Sequence, residues 1–228
     1  MKKAFSFIIL LFLWCRTYSQ ELSQVTFSGG ATLTSMAFLA DREVLIRISE
    51  EGKITEWGIE VQSLRSNNYY APRLQPYMGR IEYYGAEADS VNRGKVKSIG
   101  TCTITYYGQY ETAEKIGKLK SVGIISLDYY SSYENNTLKG KIRFIGGLML
   151  EYYSSFEDEA YKGKLKSIGS TAITYYSSFD DKFIKGKIKS IGGISYKWYT
   201  STDRIGYGGG LKSGAFRQNI SGVTYILQ

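Results

Sequence analysis

The chain carries few of the side chains with which enzymes usually do chemistry. It contains no histidine, which is the commonest general base and metal ligand in proteins. Cys102 falls on the apolar side of a β-strand pattern, where other copies of the pattern carry Ile125 or Leu148. We therefore interpret Cys102 as a small core residue rather than a nucleophile. We predict that the protein is not an enzyme and uses no cofactor.

Two sets of residues recur every 23 residues and could contact a ligand. One is the second tyrosine of an aromatic doublet, which could stack against sugars: Tyr84, Tyr107, Tyr130, Tyr153, Tyr176 and Tyr199. The other is basic and could attract an anionic surface such as a phosphorylated glycolipid: Lys97, Lys120, Arg143, Lys166 and Lys189. Both sets also have a structural interpretation, because rings pair across strands and lysines discourage aggregation of a sheet.

Acidic residues form a third recurring set, which could hold Ca²⁺ through carboxylate oxygens. Its best candidates are Glu157, Asp158, Asp180 and Asp181. Their spacing matches no established calcium loop, so the simpler role is to balance the lysines. We predict no metal centre apart from this calcium alternative.

These sets are positioned by an internal repeat without insertions. The doublet Tyr83-Tyr84 returns at a constant interval of 23 residues and ends as Trp198-Tyr199. A block of the type Gly-Lys-apolar-Lys-Ser-Ile-Gly follows the same period, starting at Gly94, Gly117, Gly140, Gly163 and Gly186. A fixed period of this length is typical of repeat architectures.

Each repeat predicts two short strands. In the second strand, Cys102 to Tyr107, apolar and polar positions alternate as in a half-buried strand. In the first strand, Ile191 is out of phase with Ile188, so either a β-bulge reverses the side or Ile191 packs inward from a turn. The glycine after the first strand, such as Gly192, fits a turn with positive φ.

Two all-β architectures share this pattern: a parallel β-solenoid and a curled antiparallel meander. A solenoid would stack the lysines of successive repeats directly on one another, as in Lys95, Lys118 and Lys141, and like charges directly opposite destabilise a sheet. A meander places another strand between them. We therefore predict a curled antiparallel meander of about six two-strand repeats, with the solenoid as the alternative.

The chain divides into three parts. Residues 1–19 resemble a secretory signal, with Lys2 and Lys3 before an apolar stretch and small residues near Ser19; a lipoprotein signal at Cys15 is the alternative. Residues 20–80 predict a β-rich N-terminal cap that contains a hairpin around residues 50–52, and residues 81–228 form the repeat array. We expect export to the periplasm, the outer-membrane surface or the exterior, with no transmembrane helix after signal cleavage.

The Tyr-Tyr doublets and the Gly-Lys-Leu-Lys-Ser blocks resemble MORN-type repeats, in particular their bacterial variant, and exported tyrosine-rich repeat proteins of Gram-negative bacteria. The resemblance covers roughly residues 81 to 215, although the Gly-His-Gly element of many MORN repeats is absent. It implies a curled antiparallel sheet and a binding or scaffolding role.

We therefore predict a non-catalytic, exported repeat protein that serves as a binding or scaffold module of the cell envelope or surface. Possible partners are a glycan or envelope component and further copies of the chain. The net charge of +8 does not form the strongly basic stripe of a nucleic-acid binder, so we expect no nucleic acid. The alternatives are a purely structural, self-assembling repeat protein and an outer-membrane β-barrel.

Overall fold

A computed structural model describes residues 22–41, 44–60, 74–134, 136–203 and 205–228. Within these ranges the protein is built of β-strands and turns. No helix of the described residues is long and apolar enough to cross a membrane. The predicted signal segment, residues 1–19, lies outside the described residues.

Twenty strands follow one another along the described chain. They are β1 (Leu22–Ser28), β2 (Thr32–Asp41), β3 (Val44–Ile48), β4 (Ile54–Glu60), β5 (Leu74–Gln75), β6 (Ile81–Tyr83), β7 (Val96–Ile99), β8 (Cys102–Tyr106), β9 (Leu119–Val122), β10 (Ile125–Tyr129), β11 (Ile142–Ile145), β12 (Leu148–Tyr152), β13 (Leu165–Ile168), β14 (Thr171–Tyr175), β15 (Ile188–Ile191), β16 (Ile194–Ser195), β17 (Lys197–Trp198), β18 (Leu211–Ser213), β19 (Arg217–Ile220) and β20 (Val223–Leu227).

The repeats form one antiparallel meander. Strands β6 to β16 pair in chain order in an eleven-stranded sheet, and neighbours such as β8 and β9 run antiparallel. This confirms the predicted meander and excludes the parallel solenoid. The short glycine turns lie at one end of the strands and the longer loops between repeats lie at the other end, because every second connection is short. We call these two sides the short-turn edge and the long-loop edge of the array.

A β-bulge explains the change of phase in the first strand of each repeat. Tyr175 pairs with Ile188 and Thr174 pairs with Ser190, so Lys189 is an extra residue on β15. The bulge restores both Ile188 and Ile191 to the core side, where both are fully buried. The following Gly192 has a φ of 56°, as predicted for this turn.

The predicted N-terminal cap is a second sheet. Its described strands β1 to β5 include the expected hairpin, β3 and β4, joined through Gly52. Strands β19 and β20 also belong to it, and β20 pairs in parallel with β1. Residues 217–227, which the 23-residue period assigned to the array, therefore tie the C-terminal end of the chain to the cap.

The two sheets share one hydrophobic core. Phe27 and Phe38 from the cap are buried in the same cluster as Ile104 and Leu127 from the array. Two turns of the cap also bond to the array, because the amide of Ile142 donates to Glu50 and that of Ile188 donates to Gly30, at 2.8 and 2.7 Å. The cap therefore covers the inner face of the repeats.

Candidate functional site

The second tyrosines of the doublets link successive repeats. Each of the first five is half-buried or buried, and its hydroxyl donates to a carbonyl of the next repeat at 2.8 to 3.0 Å: Tyr84 to Ile104, Tyr107 to Leu127, Tyr130 to Leu150, Tyr153 to Ile173 and Tyr176 to Tyr196. Four of these rings also form T-shaped pairs with the first tyrosine of the following repeat. Their hydroxyls and part of their ring surface are therefore committed to the fold.

The basic set predicted from the sequence lies beside these tyrosines. Its five members are the extra residues of five equivalent bulges in the eleven-stranded sheet: Lys97, Lys120, Arg143, Lys166 and Lys189. Four of them lie over the ring of a second tyrosine at 5.6 to 5.7 Å from its centroid. The structure thus brings the two predicted sets together as cation–π pairs, and the lysines stay exposed on the outer face.

A second row of lysines is built into the sheet. Each donates its Nζ to a glycine carbonyl, four of them in the next repeat and the last in the cap: Lys95 to Gly117, Lys118 to Gly140, Lys141 to Gly163, Lys164 to Gly186 and Lys187 to Gly29. The same ammonium groups lie 4.6 to 5.2 Å from the centroid of the next first aromatic. Burial lowers the pKa of four of them, Lys95, Lys118, Lys164 and Lys187. We call this row the lysine ladder.

Four of the first aromatics of the doublets are buried in the core: Tyr129, Tyr152, Tyr175 and Trp198. Tyr129 and Tyr175 each donate a hydroxyl to a backbone carbonyl of their own hairpin, at 2.8 and 2.9 Å, and Trp198 does the same through its indole nitrogen at 2.7 Å. Tyr152 occupies the equivalent position, yet its buried hydroxyl has no partner. Burial raises the pKa of all three tyrosines.

The acidic residues hold the loops between repeats. Asp180 accepts from the amide and hydroxyl of Ser177 at 2.6 and 2.9 Å, which closes a turn. Asp158 accepts from the amide of Ala160 in its own loop and from Ser178 in the next loop, at 2.8 and 2.7 Å. Backbone hydrogen bonds lower the pKa of Asp158, the bond from Ala160 contributing most.

The other two calcium candidates lie in the same loops. Asp181 accepts from Ser201 and from the amide of Phe183, so it repeats the role of Asp158, while Glu157 is exposed. In the described ranges, no group of three or more His, Cys, Asp or Glu residues lies close enough together to hold a metal ion.

A row of exposed aromatic rings lies along the long-loop edge of the array. It consists of one ring from each of four successive loops, with exposed fractions of 94% to 98%: Tyr110, Tyr133, Phe156 and Phe179. We call it the loop-tip row. Equivalent residues are two strands apart in a meander, so successive rings are separated by about 10 Å. The sequence did carry the signal, because these aromatics recur every 23 residues, but no periodicity distinguishes a buried ring from an exposed one.

The loops that carry this row have a repeated internal structure. In each loop, the amide of the fourth residue donates a hydrogen bond to the carbonyl of the first residue. Glu134 donates to Ser131 in this way, and Asp180 donates to Ser177. The aromatic is the third residue of this turn, and in the loops of Tyr133 and Phe179 the carboxylate at the fourth position, Glu134 or Asp180, accepts from the first amide. The rings therefore project from ordered turns rather than from long flexible loops.

Other features of the described residues offer less. Cys102 is 1% exposed and lies in the core, as predicted. A cleft of about 470 Å³ at the short-turn edge lies between Ile124, Leu148 and Val223. Its described lining consists of apolar residues, glycines and Ser221, which suits packing rather than chemistry. The loop-tip row is thus the best candidate for a functional surface.

No protein-family model, curated protein or solved structure matches this chain.

Proposed function

We propose that this chain is an exported, non-catalytic repeat protein that acts as a binding or scaffold module of the cell envelope or surface. The observation that supports the proposal is the loop-tip row, in which four large rings are presented to solvent at regular intervals on one edge of a sheet. Large apolar side chains that are grouped and exposed commonly mark a contact surface. The MORN-like character of the repeats belongs to the same proposal.

The division of labour within the repeat supports this function further. The second tyrosines and the lysine ladder hold one repeat to the next, so they serve the scaffold. The exposed basic residues, such as Lys120 and Lys166, form a separate outer face that would favour an anionic partner. Residues of the loop-tip row can therefore be substituted without losing the contacts that hold the sheet together.

A binding panel tests this proposal. The wild-type chain and a variant with all four rings changed to alanine would be mixed with insoluble polysaccharides, cell-envelope fractions, and neutral and anionic vesicles. We expect the wild type to sediment with at least one of them and the variant to lose that binding. Ile124→Ala, at the opposite edge, is the control and should bind like the wild type.

Two outcomes would contradict the proposal. One is an absence of binding to every probe, and the other is equal binding by the wild type and the four-ring variant. If the chain instead forms assemblies with itself that the substitutions leave intact, the alternative of a purely structural, self-assembling protein gains support. Sedimentation of the protein alone, at several concentrations, distinguishes that case.

A further inference from the structure

We infer that the loop-tip row binds an extended, uncharged, β-linked polysaccharide that lies across the repeats. The inference rests on the proposed function and names the class of ligand for the same surface. It follows from the spacing, the chemistry and the charge of the row.

The spacing of the rings suits a polymer with a regular period. Successive rings are about 10 Å apart, since each repeat adds two strands to the sheet. In an extended β-linked chain with twofold character, every second sugar turns the same face to one side, and the repeating length is that of a disaccharide. One repeat of the protein therefore corresponds to one disaccharide, so four rings can meet the same sugar face four times.

The chemistry of the rings indicates stacking rather than hydrogen bonding. Two members are tyrosine and two are phenylalanine, so the shared feature is a flat apolar face and not a hydroxyl. Sugar rings present faces of C–H groups that pack on aromatic rings. The residue before each ring is polar: Gln109, Ser132, Ser155 and Ser178. The hydroxyl of Ser178 donates to Asp158, so its oxygen remains to accept from a sugar hydroxyl.

The charges beside the rings argue for an uncharged ligand. An acidic residue follows each ring directly: Glu111, Glu134, Glu157 and Asp180. Apart from Glu134, whose charge is offset by Arg143, these carboxylates would repel a nucleic acid, an anionic polysaccharide or an anionic bilayer, because like charges near a contact oppose association.

Hydrogen bonds and ion pairs that hold the loops in place reduce the conformational entropy lost on binding. The turn of Tyr133 is closed by Glu134, whose carboxylate also pairs with Arg143 at 2.6 Å. The loop of Phe179 is joined to the preceding loop by the bond from Ser178 to Asp158. Rings that are held in place before binding lose less conformational entropy when a ligand arrives.

The array also provides a position at which a ring can be added. Thr202 is exposed and follows Phe179 by one period. Its turn is closed by Asp203, whose carboxylate accepts from the amide of Thr200 at 2.8 Å. Thr202→Phe therefore extends the row from four rings to five without disturbing a buried contact.

Oligosaccharides of increasing length test the inference. Soluble oligomers of β-linked glucose, xylose and N-acetylglucosamine would be titrated into the full chain by calorimetry. We expect affinity for one series to rise in steps as the oligomer reaches a second, third and fourth ring. Each ring changed to alanine should weaken binding of the longest oligomer about tenfold, which corresponds to about 1.4 kcal/mol. Thr202→Phe should strengthen binding only of oligomers long enough to reach the fifth ring.

Several results would overturn the inference while leaving the proposed function intact. They are binding that does not depend on oligomer length, binding of anionic vesicles or anionic polymers through the same rings, and ring-dependent association of two copies of the chain. Failure of all three oligomer series to bind would also overturn the inference alone, whereas failure of every probe in the binding panel would overturn the proposed function as well.

Discussion

Replacement of one lysine of the lysine ladder should lower the free energy of unfolding much more than replacement of the neighbouring exposed lysine. Lys164 donates to the carbonyl of Gly186 at 2.6 Å and lies 5.2 Å from the centroid of Tyr175. Lys166, two residues away, is exposed and lies 5.7 Å from the centroid of Tyr153. Lys164→Met and Lys166→Met remove the same charge from the same repeat, so they form a matched pair.

The expected magnitude follows from the contacts that each change removes. A hydrogen bond to a charged donor contributes about 1.5–3 kcal/mol, and a partly desolvated cation–π contact adds about 0.5–2 kcal/mol. Burial opposes these gains, since it lowers the pKa of Lys164 and so disfavours the charged ammonium. We expect a net loss of about 2 kcal/mol for Lys164→Met, and about 0.5 kcal/mol for Lys166→Met, in line with most surface changes.

Urea unfolding measures both losses. With an m-value of about 2 kcal/mol/M, the midpoint of Lys164→Met should fall by about 1 M, whereas that of Lys166→Met should fall by about a quarter of that. The slopes should match that of the wild type, so that the shift reports stability alone. Equal midpoints for the two variants, or a rise in the midpoint for Lys164→Met, would refute the role assigned to the lysine ladder.

Three further predictions concern the packing between the sheets and the tyrosine core. Gly30→Ala should destabilise the fold by about 1–3 kcal/mol more than Gly29→Ala. Both glycines have positive φ, but only a Cβ at Gly30 would overlap the Trp198 ring. Equal losses of stability in urea unfolding would rule out that contact. Tyr175→Phe should destabilise the fold by about 1 kcal/mol, because it loses a hydrogen bond. Tyr152→Phe should cost little or stabilise the fold, because the Tyr152 hydroxyl has no partner. A larger loss of melting temperature for Tyr152→Phe than for Tyr175→Phe would contradict these two assignments. Stability should fall as the pH rises above about 10, because burial raises the pKa of Tyr196 to about 12 and tyrosines of the unfolded chain ionise at lower pH. Melting temperature and tyrosinate absorbance should change together. A melting temperature that stays constant up to pH 12 would contradict this prediction.

The regular part of the fold could be predicted from the sequence, and the reasons are local. A period of 23 residues, alternating apolar positions and repeated lysines were enough to favour the meander over the solenoid. The bulge was one of two explanations for the phase of Ile191, and the pairing of Thr174 with Ser190 decides between them. The positive φ of Gly192 also followed from its place after the strand.

The parts that could not be predicted depend on contacts distant in the sequence. The pairing of β20 with β1 joins the two ends of the described chain, and nothing in either strand specifies the other. Four lysines of the lysine ladder bond to residues 22 positions away and the fifth bonds to the cap, whereas the sequence suggested only a charged face. The loop-tip row was missed because Tyr133 and Tyr129 are the same residue type, and only the fold separates a 98% exposed ring from one exposed by 2%.

The most direct test of the proposed binding surface places a fluorescent reporter in the loop-tip row itself. Phe156→Trp keeps an aromatic ring at an exposed position, and Ile124→Trp places the same reporter at the opposite edge of the sheet. When the envelope fraction or polysaccharide that binds the chain is added, we predict a blue shift and protection from quenching for the tryptophan at position 156 and no change at position 124. Binding that leaves position 156 as open to quencher as before would contradict this prediction.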